Sequence, residues 1–181
     1  MPAGSCPRAE EAIYSILTSR EKYIAVEGIA GAGKTTALKY VTDLLQKQGV
    51  TVKGMAFTGK AAESMETEAQ VEAATIHKFF TDMTNQKQKN ISNPHWDFSQ
   101  VKKAEKPEVW IVDESSMLND TLMAAVLEAA EQKKSKVVFL GDTNQLLPIG
   151  TGNAFQRMVK ENKTARNPHE EITRQEKDSG A

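Results

Sequence analysis

The chain has 181 residues, 39% of them hydrophobic, which is enough for one buried core but not for two large domains. Its net charge is −1, so no overall positive field attracts nucleic acid, and any DNA contact must depend on local groups. A single cysteine excludes an internal disulfide and is typical of a reducing compartment. No apolar run is long enough to cross a bilayer, so we predict a cytoplasmic location without membrane insertion.

Apolar runs alternate with helical patterns along the chain. Helices are predicted over 8–17, after the glycine-rich stretch at 28–36, over 61–69, as one or two turns over 75–80, over 118–133 with Asn119 or Asp120 as the cap, and from residue 154 to 159. Strands are predicted over 23–27, 51–57, 109–112 and 136–140, with a further candidate at 170–173. Because the strands are apolar throughout, we predict a three-layer α/β/α sandwich with a mostly parallel sheet.

Residues 84–107 interrupt this alternation. The segment is rich in Asn, Gln, Lys, Ser and Pro without a clear period, and we interpret it as a surface insertion. Its lysines are interleaved with Trp96 and Phe98, a combination that can hold single-stranded nucleic acid through charge and stacking. The simpler alternative, which we favour, is a solvated loop whose aromatic side chains attach it to the body of the domain.

The stretch Gly28-Ile29-Ala30-Gly31-Ala32-Gly33-Lys34-Thr35 has the spacing of a phosphate-binding loop and is followed by Thr36. It lies between a predicted strand and a predicted helix, which is the context that such a loop requires. Small residues let backbone N–H groups approach phosphates closely, and the helix that follows adds its positive end. Lys34 is predicted to reach the β- and γ-phosphates, and the Thr35 hydroxyl to hold Mg²⁺. A plain glycine-rich turn is the alternative.

Other polar residues follow the predicted strands. Asp113 and Glu114 come directly after 109–112, where one carboxylate can hold Mg²⁺ and its neighbour can activate water. Gln145 follows the next strand and could sense a γ-phosphate, and Arg174 could offer its guanidinium to the same group. Ordinary surface residues are the alternative for each of them. His77 lies among apolar neighbours and is interpreted as structural on this evidence alone.

Six motifs in order resemble those of the first motor domain of a superfamily 1 DNA helicase of the RecD-like group. They are GIAGAGKTT at 28–36, FTGKAA at 57–62, TIH at 75–77, VDESSM at 112–117, GDTNQLLPIGTGNAF at 141–155 and TRQ at 173–175. They are most similar to the helicase part of conjugative relaxases of the TraI/TrwC type. The resemblance implies a RecA-like P-loop NTPase that uses ATP and Mg²⁺ and moves 5′ to 3′ on single-stranded DNA.

The resemblance also implies roles for individual residues. The nucleotide would be held by Gly28, Gly31, Ala32, Gly33, Lys34, Thr35 and Thr36. Mg²⁺ would be held by Thr35 and Asp113, water would be activated by Glu114, and the γ-phosphate would be contacted by Gln145 and Arg174. The single-strand track would be lined by Thr58, Gly59, Lys60 and His77. Related helicases also carry an upstream glutamine that reads adenine, whereas this chain has none before Gln46.

The same resemblance predicts one motor domain over 1–181, without the second RecA-like domain that completes the nucleotide cleft. We therefore expect weak nucleotide binding, slow hydrolysis and no unwinding by these residues alone, and a possible link to the conjugation machinery. A binding module that holds DNA or docks a relaxase for secretion is one alternative. Another is a small-molecule kinase or a GTPase, although the chain has no Asn-Lys-x-Asp motif and few arginines.

Overall fold

The computed structural model of the protein describes residues 14, 16–27, 33–86, 94–142 and 154–166. In this part of the chain five strands form one parallel sheet in the order β1-β5-β4-β2-β3. The strands are β1 (Tyr23–Glu27), β2 (Thr51–Ala56), β3 (Ala73–Thr75), β4 (Glu108–Asp113) and β5 (Lys136–Gly141). Because all neighbours are parallel, the carboxyl ends of the strands share one edge of the sheet.

Five helices and a short 3₁₀ turn surround the described sheet. The helices are α1 (Gly33–Lys47), α2 (Gly59–Thr67), α3 (Ile76–Thr84), α4 (Asp120–Lys133) and α5 (Ala154–Arg166), and the 3₁₀ turn is Ser115–Met117. Residues 14 and 16–18 are also helical, at the end of the helix predicted over 8–17. None of the helices in the described ranges is both long and apolar enough to cross a membrane.

Alternate side chains of each central strand enter two separate cores. In β5, Val138 and Leu140 join the core that contains helices α1 and α2, whereas Val137 and Phe139 join the core that contains α3, α4 and α5. This alternation follows from the two-residue repeat of a strand. The predicted three-layer α/β/α sandwich is therefore confirmed, and its described sheet is entirely parallel.

Four predicted strands match the observed ones to within one residue at each end, but β3 was not predicted. This strand consists of only three residues and pairs with β2 from Gly54↔Ala73 to Ala56↔Thr75. The helical turns expected over 75–80 extend to Thr84 as helix α3. Asn119, and not Asp120, caps helix α4, because its side chain accepts a hydrogen bond from the Leu122 amide at 2.8 Å. The strand predicted over 170–173 lies outside the described residues.

Polar contacts fix the amino-terminal side of the sheet. The buried Glu108 carboxylate accepts hydrogen bonds from Trp110 Nε1 at 2.6 Å and from Ser135 Oγ at 3.0 Å. The hydroxyl of Tyr23 donates to Glu131 on helix α4, and burial together with this acidic neighbour raises the Tyr23 pKa. The buried polar groups at the start of β4 are thus paired, and a more exposed contact joins the start of β1 to helix α4.

The described part of the 84–107 segment is attached to the core by its aromatic residues. Trp96 and Phe98 are 2% and 1% exposed, and both rings pack edge-on against Phe80 at centroid distances of 5.2 and 5.1 Å. Their faces are therefore not available for stacking on bases. The alternative interpretation, in which the aromatic side chains attach the segment to the body, is confirmed for these two residues.

Candidate nucleotide and nucleic-acid site

The sheet brings four predicted site regions to its carboxyl edge. Strand β1 ends at Glu27, immediately before the predicted phosphate loop, and β2 ends two residues before Thr58. Strand β4 ends at Asp113, and β5 ends immediately before Asp142. Ligands of open parallel sheets bind at this edge, so the arrangement has the position that a nucleotide site requires.

Helix α1 begins at Gly33 and includes Lys34, Thr35 and Thr36 in its first turn. Residues Gly28, Gly31 and Ala32 lie outside the described part of the chain, and for Lys34 only the backbone is described. The first turn contains no acidic residue, so the positive end of the helix is not neutralised from within. This end of α1 is therefore suited to bind an anion.

Thr35 makes a contact that the sequence did not predict. Its hydroxyl donates a hydrogen bond to Oε2 of Glu68 at 3.2 Å. Glu68 is the C-cap of helix α2, so the contact links the first turn of α1 to the end of α2. No pattern singled out Glu68, because an exposed acid after a helix is an ordinary surface feature.

The acidic pair at the end of β4 has an unusual backbone. Asp113 is 6% exposed, and its Oδ1 accepts a hydrogen bond from the Glu114 amide at 2.7 Å. Glu114 has φ 53° and ψ 34°, the left-handed conformation that residues with a Cβ rarely adopt. This bend ends the strand and starts the 3₁₀ turn.

Thr58 holds the Glu114 carboxylate. Its hydroxyl donates to Glu114 Oε2 at 2.8 Å, and its amide donates to the same oxygen at 3.3 Å. The same hydroxyl accepts a hydrogen bond from the Ala61 amide at 3.2 Å and so caps helix α2. A residue of one predicted DNA motif is thus directly bonded to the residue predicted to activate water.

The end of β5 is packed against the acidic loop. A Cβ at Gly141 would lie 2.8 Å from Cε1 and Cζ of Phe155 and 2.9 Å from the backbone nitrogen of Ser116. Only a glycine lets β5 approach both groups this closely. Asp142 follows and is partly exposed. Gly141 therefore allows the turn after Glu114 to lie directly beside the end of β5.

The predicted DNA residues lie in two places along the same edge. Gly59 and Lys60 are exposed in the first turn of helix α2, beside the half-buried Thr58. His77 is in the first turn of helix α3 and contacts the Trp96 ring edge-on at 5.6 Å. Its partial burial against Trp96 is consistent with the structural interpretation, and its partial exposure leaves room for a ligand contact.

Two predicted site residues, Gln145 and Arg174, lie outside the described residues. Among the residues that are described, no group of three or more His, Cys, Asp or Glu side chains could hold a metal ion. In ATPase sites generally, Mg²⁺ is bound by one or two protein ligands together with phosphate oxygens and waters. The buried Asp113 carboxylate and the Thr35 hydroxyl are oxygen donors of the kind that this ion prefers.

A separate cleft of about 640 Å³ lies near the edge strand β3 and the start of β4, away from the acidic pair. Lysines and carboxylates both line its wall, and some of them pair directly. Lys78 lies 2.5 Å from Asp82, and this contact raises the Lys78 pKa. Lys53 lies 3.9 Å from Glu72. The paired charges leave the wall without a dominant sign, so the cleft indicates no particular ligand.

Comparison with known proteins adds independent information. A family model described as "AAA domain" matches residues 7–181. The chain is 33% identical over 139 residues to the probable conjugal transfer protein TraA of Sinorhizobium fredii, which covers 77% of this chain and 11% of that protein. It is 32% identical to the ATP-dependent RecD2 DNA helicase of Deinococcus radiodurans, over 72% of this chain and 17% of that protein.

The multifunctional conjugation protein TraI of Escherichia coli is also similar, at 32% identity over 84% of this chain and 8% of that protein. The chain therefore spans between 8% and 17% of the length of these three relatives. The predicted resemblance to RecD-like helicases and conjugative relaxases is confirmed by these matches.

Proposed function

This chain belongs to the AAA domain family, as a RecD-like superfamily 1 helicase motor domain, and we propose that it hydrolyses ATP to drive movement along single-stranded DNA. The proposed direction is 5′ to 3′, and the proposed setting is a conjugative relaxase-helicase. One observation carries the proposal: the acidic pair Asp113 and Glu114 shares the carboxyl edge of the sheet with the start of helix α1, and Glu114 accepts a hydrogen bond from Thr58 of a predicted DNA motif.

The proposed nucleotide site combines the positive end of α1 with the carboxylates after β4. Backbone groups of Gly28, Gly31, Ala32 and Gly33 would bind the phosphates, with Lys34 as the counter-charge and with Thr35 and Thr36 in the first turn. Thr35 and Asp113 would hold Mg²⁺, which neutralises charge on the phosphates when it is bound. Glu114 would accept a proton from the attacking water.

The remaining proposed roles concern the coupling of ATP hydrolysis to movement along DNA. Gln145 and Arg174 are proposed to contact the γ-phosphate, and Thr58, Gly59, Lys60 and His77 to line the track of the single strand. We propose one RecA-like ATPase domain over 1–181, with an insertion at 84–107. A second RecA-like motor domain is the proposed partner for unwinding, because electrostatic stabilisation from both sides of the nucleotide contributes strongly to phosphoryl transfer.

Phosphate release with and without an oligo(dT) strand tests the proposal. Wild-type protein is compared with Lys34→Ala and Glu114→Gln, and with Glu128→Gln as a matched control on the exposed face of helix α4. Glu114→Gln should reduce turnover by about 100-fold or more and retain binding of a fluorescent ATP analogue, since only the proton acceptor is lost. Lys34→Ala should weaken both properties, and Glu128→Gln neither.

Turnover that survives in both Lys34→Ala and Glu114→Gln would refute the ATPase proposal. Oligo(dT) binding without any Lys34-dependent turnover would favour the alternative of a DNA-holding or secretion-docking module. Strand separation by the 181 residues alone would contradict the proposed need for a second motor domain.

A further inference from the structure

Two lysine-rich segments meet at the amino edge of the sheet, opposite the candidate nucleotide site. Residues 102–106 precede β4 and residues 133–134 precede β5, and these two strands are neighbours. The Ala104 amide donates a hydrogen bond to the Lys133 carbonyl at 3.0 Å, so the two segments are in direct contact. They form what we call the lysine surface, which consists of Lys102, Lys103, Lys106, Lys133 and Lys134.

The lysine surface carries charge that neighbouring side chains do not neutralise. The two segments contain five lysines and one acid, Glu105, a net charge of +4 in a chain whose net charge is −1. In the described part of the chain none of the five lysines forms a salt bridge, and Glu131, which precedes two of them on helix α4, is paired with Lys22 at 2.7 Å. Lys133 is partly exposed and the other four are exposed, so the surface is open to an anionic partner.

The helix dipole accounts for only part of this surface. The negative end of helix α4 favours cations in its last turn, which explains Lys133 and Lys134. It does not explain the three lysines of the other segment, which belong to no helix. Lys102 and Lys133 also line the cleft near β3, where the other lysines have carboxylate partners and these two have none among the described residues.

The backbone beneath the lysine surface is held in place. Phe98 is 1% exposed, and its carbonyl accepts a hydrogen bond from the Val101 amide at 2.9 Å. The Pro107 carbonyl accepts from the Thr51 amide at 2.9 Å, and the bond from Ala104 to helix α4 lies between these two contacts. A segment fixed at several points loses less entropy when its side chains bind a partner than a free loop does.

The residues present select among nucleic-acid partners. Proteins hold single strands by combining positive charge with aromatic side chains on which the bases stack. Among the described residues the exposed large hydrophobic side chains are Tyr14 and Phe57, and neither belongs to the two lysine segments. Ammonium groups without stacking partners contact phosphates and do not read bases. Duplex DNA, with one charge per roughly 1.7 Å of axis, is the partner that such a surface fits best.

We propose that the lysine surface binds the phosphate backbone of duplex DNA, independently of base sequence. The lysine surface and Asp113 lie at opposite ends of β4, which are about 17 Å apart at the usual rise per residue. The duplex and the ligands of the carboxyl edge can therefore be bound together. The choice of DNA as the polyanion rests on the proposed function, whereas the charge and exposure of the surface do not.

Two DNA ligands separate this surface from the proposed single-strand track. The first is a short blunt-ended duplex, and the second is fluorescent oligo(dT). Wild-type protein should bind the duplex in fluorescence anisotropy, with an affinity that falls steeply as salt is raised. A saturating amount of unlabelled duplex should leave oligo(dT) bound, because the two sites lie on opposite edges of the sheet.

Two double variants test whether both segments contact the same duplex. Lys102→Gln/Lys103→Gln alters the first segment, and Lys133→Gln/Lys134→Gln alters the second. Each lysine that neutralises a phosphate contributes about one unit to the slope of log K against log[salt], so each double variant should reduce the slope for the duplex by about two. Oligo(dT) binding and Lys34-dependent turnover should keep their wild-type values.

Lys39→Gln/Lys160→Gln is the matched control, because it removes the same charge from helices α1 and α5 and should leave the slope unchanged. Urea midpoints of all three double variants check that each is folded. The proposal is overturned if the two test variants have the slope of the control. Displacement of oligo(dT) by the duplex in wild-type protein would also overturn it, and this result needs no variant.

Two further outcomes identify what has failed. Binding of poly-glutamate without binding of the duplex would overturn duplex DNA as the partner and would indicate an acidic protein. Absence of Lys34-dependent turnover would refute the proposed function, whereas the salt slopes of duplex binding would still decide whether the lysine surface contacts phosphates.

Discussion

Gly141→Ala should destabilise the protein although it adds one methyl group. That methyl would lie 2.8 Å from two ring atoms of Phe155 and 2.9 Å from the Ser116 backbone, against about 3.5–4.0 Å for an ordinary carbon contact. Phe155 is 3% exposed and cannot move without disturbing the core. Overpacking of this kind costs about 1–3 kcal/mol. For a chain of this length each kcal/mol lowers Tm by about 2–4 °C.

Urea unfolding and thermal scans of Gly141→Ala, followed by circular dichroism, measure this cost. Gly59→Ala is the control, because a Cβ at Gly59 meets nothing within 4 Å and alanine favours the helix that begins there. A double-mutant cycle with Phe155→Leu tests the cause, since leucine lacks the two clashing ring atoms. The steric argument is refuted if Gly141→Ala is as stable as Gly59→Ala. It is also refuted if Gly141→Ala costs as much in the Phe155→Leu background as in the wild-type protein.

Other changes have equally definite expectations. Glu68→Ala should tighten binding of a fluorescent Mg·ATP analogue, because it frees the Thr35 hydroxyl on helix α1. The control Glu63→Ala removes the same charge and should tighten binding less. Equal effects of the two variants would show that the gain comes from charge alone. Burial and a carboxylate neighbour raise the Tyr23 pKa. The contribution of Tyr23 to the free energy of unfolding should therefore be complete below about pH 10 and be lost as the pH rises further. In Tyr23→Phe the free energy of unfolding, measured in urea, should fall less steeply above about pH 10 than in the wild-type protein. The same pH dependence in both proteins would contradict this prediction. Glu108→Ala should cost about 2–4 kcal/mol because two buried donors lose their acceptor, whereas Glu108→Gln should cost less; equal midpoints in urea would disprove this.

The central strands could be predicted because each is a continuous apolar run. Strand β3 could not, since Ala73–Thr75 has neither an apolar run nor sufficient length. Its conformation comes from pairing with β2, where Gly54 leaves space for a close approach: a Cβ there would meet Ala73 Cβ at 2.7 Å. Such a strand is specified by tertiary contacts that local pattern does not contain.

The location of the candidate site at the carboxyl edge of the sheet could be predicted, but the contacts within the site could not. Parallel strands bring the residues that follow them to one end, so Thr58 and Asp113 could be expected there from spacing alone. Their contacts could not, because the bond from Thr58 to Glu114 depends on β2 lying next to β4. The left-handed backbone of Glu114 has no sequence signal either, since glutamate rarely adopts it.

The burial of Trp96 and Phe98 limits how this domain can be shortened or recombined. Removing a buried Trp or Phe side chain costs about 3–5 kcal/mol, and whole domains are stable by only about 5–15 kcal/mol. Excising the segment that carries both rings would therefore remove most of the free energy of unfolding of the domain. A minimised motor, or a chimera with a relative's loop, would have to refill the space beside Phe80 with hydrophobic groups of similar volume.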